Sequence, residues 1–127
     1  MKNLYTFWKK YWIYIVAFAI PWFVVFAMAI INHGWPFYDA TMIGGDTSSQ
    51  LVPYAFELWD RVHTGDSLRY TWNLGGGCDM GVVLGDYISP FTILLLLSKR
   101  SFIVNMLQII MILKWACAGV SMVYFFY

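Results

Sequence analysis

Asp46 follows two glycines and precedes Thr47-Ser48-Ser49-Gln50, so a flexible lead-in presents a carboxylate at a helix start. A carboxylate held there can take a proton from an acceptor hydroxyl, or hold a divalent cation that screens a phosphate leaving group. The plainer reading of the same position is electrostatic, a negative charge complementing a helix N-terminus. Asp39, Asp79 and Asp86 could join it in an acidic cluster. Hard cations prefer oxygen ligands, and a carboxylate pair with a divalent ion suits phosphate-linked substrates; solvated loop acids are the alternative. His33 and His63 lack the i, i+4 partner of a helical metal site, and His63 reads as a helix-end residue. The glycines from Gly75 to Gly85 would let backbone amides approach a phosphate, although the Gly-Lys-Ser/Thr ending of a nucleotide loop is absent. No protein cofactor is called for beyond that divalent ion.

The elements that must carry these residues are set by a membrane. All seven Asp and Glu lie between Asn32 and Tyr87, whereas Lys2, Lys9, Lys10, Lys99, Arg100 and Lys114 lie outside that stretch. A bilayer sorts charge in this way, with Lys and Arg kept on the cytoplasmic side. The composition agrees: 61% apolar and 20% aromatic against 12% charged, far from that of a soluble domain. With no basic patch carrying interleaved aromatics, nucleic acid is not an expected partner. Cys78 and Cys117 are poorly placed to pair, and neither has metal-ligand spacing around it. The expected fold is an all-α membrane protein, with N-terminal transmembrane helices and a large extracytoplasmic loop that contains an amphipathic helix.

The first crossing is residues 11–31, an apolar run that at helical rise spans about 30 Å. It is longer than a signal-peptide core, so an uncleaved anchor is expected. Trp8, Tyr11 and Trp12 at one end, and Trp35, Phe37 and Tyr38 beyond the other, suit interfacial aromatic belts. Pro21 should kink the helix. The loop is residues 32–88. Thr47 and Gln50 have capping-box spacing. Leu51, Ala55, Leu58 and Val62 recur at helical spacing, with Glu57, Asp60 and Arg61 on other faces. Pro53 favours a short turn followed by a helix from Pro53 to His63, and Gly65 supplies the stop.

Residues 75–85 read as loop, and Ser89-Pro90 as the start of a short apolar helix over 89–97. Residues 102–127 are long enough to span. If Lys99 and Arg100 are cytoplasmic, residues around 82–97 must cross and carry Asp86 with them. If 89–97 is a half-buried outer helix, 102–127 is the second crossing, and Asp86 favours this topology. Lys114 falls within the last apolar helix, where a charge is costly and faces a partner or cavity. With Asn105 and Gln108 it asks for neighbouring helices, so the chain reads as an N-terminal membrane segment, residues 1–127, of a larger polytopic protein. A small non-enzymatic membrane scaffold and a transporter fragment are the competing readings.

Gly45-Asp46-x-x-x-Gln50-x-x-Pro53-Tyr54, then Gly65, Trp72-Asn73, the Gly75 to Gly85 stretch, Tyr87-x-Ser89-Pro90-Phe91 and Leu113-Lys114-x-x-x-Ala118-Gly119 follow in order. Together they resemble the start of YfhO-type bacterial membrane proteins, over most of residues 10–127. That family is longer and is similar to the C-type (GT-C) glycosyltransferases, which take sugar from a polyprenyl-phosphate carrier outside the cytoplasmic membrane. Members are associated with adding sugars to cell-envelope polymers such as teichoic acid. The resemblance implies a bacterial cytoplasmic-membrane location, with the bilayer, the lipid-linked sugar and a polymer acceptor as partners. It also implies Asp46 as the catalytic carboxylate of the first outer loop. Gln50 and Tyr54 would then line the substrate site, Tyr87, Ser89 and Pro90 would shape its wall, and Lys114 would be a further substrate-binding candidate.

Overall fold

The computed structural model describes the backbone of residues 2–126 and the side chains of residues 11–85 and 87–126. Expectations about the side chains of Trp8, the N-terminal lysines, Asp86 and Tyr127 lie outside the described residues. The chain divides into two compact units, one comprising residues up to Ala40 together with those from Met111 onward, the other Thr41–Ile110.

The first unit is built from two long apolar helices. Helix α1 covers Lys2–Ile31 and is continuous through Pro21. Helix α5 covers Ile103–Phe126, and its part from Met111 belongs to this unit. Tyr11–Ile31 and Arg100–Phe126 are each long and apolar enough to cross a membrane, and little of either is buried within the chain. Phe23 is 76% exposed and Phe125 80%, an amount of apolar surface that a soluble monomer does not present. The helices touch through small residues: a Cβ added to Gly119 would stand 2.9 Å from the carbonyl oxygen of Ala17.

Helix α1 ends by a mechanism its sequence hides. The amide of Gly34 donates to Ala29 O at 2.7 Å and that of His33 to Ile30 O at 3.5 Å, the paired bonds of a Schellman ending. His33 takes the left-handed position, φ 51°, where glycine is usual. Its ring stands edge-on to Tyr38, 4.8 Å between centroids.

The second unit is more folded than a loop. A π-helical turn over Thr47–Leu51 runs straight into α2, Val52–Thr64. The expected capping box does not form: Asp46 rather than Thr47 is the N-cap of the turn, with no side-chain cap bond. The hydroxyls of Ser48 and Ser49 donate instead to Gly45 O. Pro53 has no amide to donate and its ring displaces the turn before it, and a widened turn accommodates that ring. Gly65 stops α2 as its sequence indicates, at φ 77°, donating to Arg61 O at 2.9 Å.

A short antiparallel hairpin follows. Strand β1, Tyr70–Thr71, pairs with β2, Cys78–Asp79, in the register Tyr70 to Asp79 and Thr71 to Cys78. Gly75, Gly76 and Gly77 all have positive φ in the connection. At Gly77 there is also no room for a side chain, because a Cβ would collide with the Tyr70 ring.

Helix α3, Met80–Tyr87, occupies sequence that reads as loop because of Gly81 and Gly85. Asp79 caps it, accepting from the Gly81 amide at 2.6 Å, and Met80 and Val83 are fully buried; cap and burial together outweigh two glycines. Helix α4 is Thr92–Leu97. It begins three residues later than Ser89, because Ser89-Pro90-Phe91 forms a turn. Within that turn the Thr92 amide donates to Ser89 O and the Thr92 hydroxyl to Tyr87 O.

Two apolar clusters hold this unit. Ile43, Ala55, Leu95, Ile103, Leu107 and Ile110 form one, and Leu58, Met80 and Val83 the other. Tyr87 packs on both. Gln108, which the sequence leaves in want of neighbouring helices, is buried within the unit and accepts from the Met42 amide at 2.9 Å.

Candidate functional site

The second unit contains an open cleft of about 410 Å³ between the start of α2 and the glycine-rich connection of the hairpin. Ser49, Gln50, Pro53 and Tyr54 form one side, and Asn73, Leu74, Gly75, Gly77 and Cys78 the other. No lining residue carries a formal charge at neutral pH. The polar lining is amide, hydroxyl and backbone, which suits hydrogen bonding to a neutral polar group rather than capture of an anion.

Asp46 is exposed and stands at the head of the π turn, one turn before Gln50. It does not line the cleft. Gln50 and Tyr54 do, on successive turns of one continuous segment. Tyr87 braces that segment, its hydroxyl donating to Leu51 O at 2.5 Å where the π turn passes into α2. Ser89 lies at the turn between α3 and α4, where its Oγ accepts from the Phe91 amide at 3.3 Å. Lys114 belongs to the other unit, exposed on α5 and without an ion pair among the described residues. Asp39 is exposed in that same unit, and Asp79 is occupied as the α3 cap. Among the described residues no three His, Cys, Asp or Glu side chains gather as a metal site. Cys78 and Cys117 are unbridged.

The support behind one part of the cleft wall is not legible from local sequence. Glu57, grouped by periodicity with the polar face of α2, is only 6% exposed. Its carboxylate accepts from Arg61 Nε at 2.5 Å, from the Thr71 hydroxyl at 2.5 Å, and from Asn73 Nδ2 at 3.2 and 3.1 Å. Burial pushes the carboxyl up, but the bonds from Thr71, Arg61 and Asn73 and the Arg61 charge outweigh it, and the group titrates below its ordinary value. An ionised carboxylate only accepts, so the Asn73 amide nitrogen is turned toward Glu57. The Trp72-Asn73 pair in the ordered motifs is the only sequence pointer to this residue.

A second polar contact fixes the far end of the unit. Arg100 donates to both carboxylate oxygens of Asp60, at 2.7 and 2.9 Å, and lies 5.1 Å from the Phe56 ring centroid. The Arg100 hydrogen bonds hold the Asp60 carboxyl below its usual range. Trp59 Nε1 donates to Ser98 O at 2.9 Å on the same side of α2. Lys99-Arg100 is thereby tied to α2. Helix α4, with six residues and about 9 Å long at helical rise, is far too short to carry the chain across a bilayer.

Compared with known proteins, the chain matches the family described as bacterial membrane protein YfhO over residues 17–127. No curated protein and no solved structure matches it. With two helices apolar and long enough to span, and a family match over most of its length, the chain belongs to the YfhO family of bacterial membrane proteins.

Proposed function

We propose that this chain is the N-terminal part of a GT-C-like glycosyltransferase of the bacterial cytoplasmic membrane. The enzyme moves a sugar from a polyprenyl-phosphate carrier to a cell-envelope polymer such as teichoic acid. The observation that carries the reading is the placement of Asp46, exposed at the head of the π turn whose following residues, Gln50 and Tyr54, line the cleft. Membership in the YfhO family supports it.

Asp46 accepts the proton of an acceptor hydroxyl as that oxygen bonds to the anomeric carbon. The bond from that carbon to the carrier phosphate breaks, and the phosphate leaves with its electron pair. Gln50 and Tyr54 hold the sugar by hydrogen bonds, and Tyr87 keeps their backbone in place through Leu51 O. Ser89, at the α3–α4 turn, and Lys114, on α5, remain separate substrate-binding candidates outside the cleft lining.

In this reading residues 32–88 face outward. The Asp60–Arg100 pair then favours an outward Lys99-Arg100 as well, with α4 half-buried and α5 as the second crossing. The test is Asp46→Asn in the complete protein, which is expected to abolish sugar transfer while membrane abundance stays normal. Normal polymer glycosylation in that variant removes Asp46 from the mechanism.

A further inference from the structure

The cleft and the buried Glu57 network meet at one residue. Asn73 lines the cleft, and both of its contacts with Glu57 use Nδ2. With the nitrogen committed to a carboxylate that cannot donate, the amide cannot flip without setting oxygen against oxygen. The Asn73 Oδ1 is left as a fixed acceptor. Across the cleft, Gln50 is an exposed amide able to donate and accept, and Tyr54 adds an aromatic ring with a hydroxyl.

We infer that this cleft is a binding site for a neutral sugar ring, with Asn73 Oδ1 accepting from a ring hydroxyl and Glu57 acting as the positioning residue behind it. The volume, about 410 Å³, lies within the range of small-molecule sites. The absence of any formal charge in the lining favours a neutral sugar over the carrier's phosphate, since charged partners make the stronger bonds to phosphate. This assignment rests on the transferase reading for its sugar, and places that sugar one turn beyond Asp46.

The test is binding, read apart from transfer. Saturation-transfer NMR is recorded on the complete protein in nanodiscs with glucose and N-acetylglucosamine, in the presence and absence of inorganic phosphate. At least one of the sugars is expected to receive saturation from the protein, and phosphate should not displace it. Asn73→Ala and Gln50→Ala should each weaken the binding by about fivefold, the worth of one hydrogen bond. Glu57→Gln should weaken it too, because a glutamine amide can donate as well as accept and no longer fixes the Asn73 orientation. Gln50 is exposed, so its replacement does not threaten the fold.

A short-chain polyprenyl-phosphate glucose competing at lower concentration than free glucose would assign the ring to the donor; equal competition would assign it to the acceptor side. Absence of transfer to either sugar, displacement by phosphate, or unchanged binding in both Asn73→Ala and Gln50→Ala overturns the assignment. Asp46→Asn is read for glycosylation alone. If it loses glycosylation while the wild type shows no cleft binding, the cleft assignment alone falls.

Discussion

Replacing Glu57 tests whether a buried carboxylate organises the second unit. Its side chain is 7% exposed and that of Arg61 13%, with 2.5 Å between Oε1 and Nε, so water screens the pair little. Glu57→Ala removes the carboxylate from Arg61 Nε, leaving the guanidinium only the Ser67 carbonyl among the described residues, and strands the Thr71 hydroxyl proton on a residue with 0% exposure. Removing one member of a buried pair costs about 3–5 kcal/mol. Glu57→Gln keeps the shape and one carbonyl oxygen but loses the charge, at a cost of about 2 kcal/mol. Hydrogen exchange read by mass spectrometry over α2 and the hairpin reports the local opening free energy. Protection there should fall by roughly a hundredfold or more for Glu57→Ala and roughly thirtyfold for Glu57→Gln, at about 1.4 kcal/mol per tenfold.

The pH dependence has a definite sign. The folded carboxyl titrates below its ordinary value of 4.5, so its contribution is complete above pH 4.5 and is lost as pH falls through the lower folded value. The gap between wild type and Glu57→Gln should therefore close under acid conditions and stay constant above pH 4.5. An effect below about tenfold for Glu57→Ala, or a gap that widens in acid, would refute the argument that this network is buried and charged.

Three further outcomes are expected. A membrane-impermeant thiol reagent should label Cys78 in intact cells, and a cysteine placed by Lys99→Cys should label from the same side; labelling only after permeabilisation would reverse the proposed topology. Asp60→Asn should leave thermal unfolding almost unchanged, because its partner is more than half exposed and exposed pairs contribute little; a clear loss would mean Arg100 is shielded from water. Gly119→Ala sets a Cβ 2.9 Å from Ala17 O and should cost about 1–3 kcal/mol by overpacking. It should also slow disulfide formation between cysteines at Ile13 and Val123, which line one small cavity; an unchanged rate would mean the helices do not meet at Gly119.

What the sequence discloses and what it hides follow the range of the interactions. The apolar lengths of α1 and α5 and the Gly65 stop are local, and they read correctly from spacing and residue type. Asp79 as a cap is also local, yet Gly81 and Gly85 mask the helix it starts, because the burial of Met80 and Val83 against Leu58 is not a local property. The partners of Glu57 lie 14 and 16 residues away at Thr71 and Asn73, and Arg100 lies 40 residues from Asp60. Periodicity places Glu57 on a polar face and has no means of bringing a hairpin over it. For the candidate site, motif order points to Gln50 and Tyr54, whereas the cleft they line exists only once the triglycine connection folds back beside them.

The π turn at Thr47–Leu51 sets an angular phase. A π turn carries one more residue than an α turn in the same place, and each helical residue advances the chain by about 100° around the axis. Were these five residues to close with ordinary α geometry instead, with Pro53 and all of α2 unmoved, the extra residue would have to be absorbed as rotation. Asp46 would then be swung by about 100° relative to Gln50 and Tyr54. The carboxylate's bearing is thus written in the width of one turn, and a change that spares every side chain named in the site but narrows that turn would still swing the acid away from it.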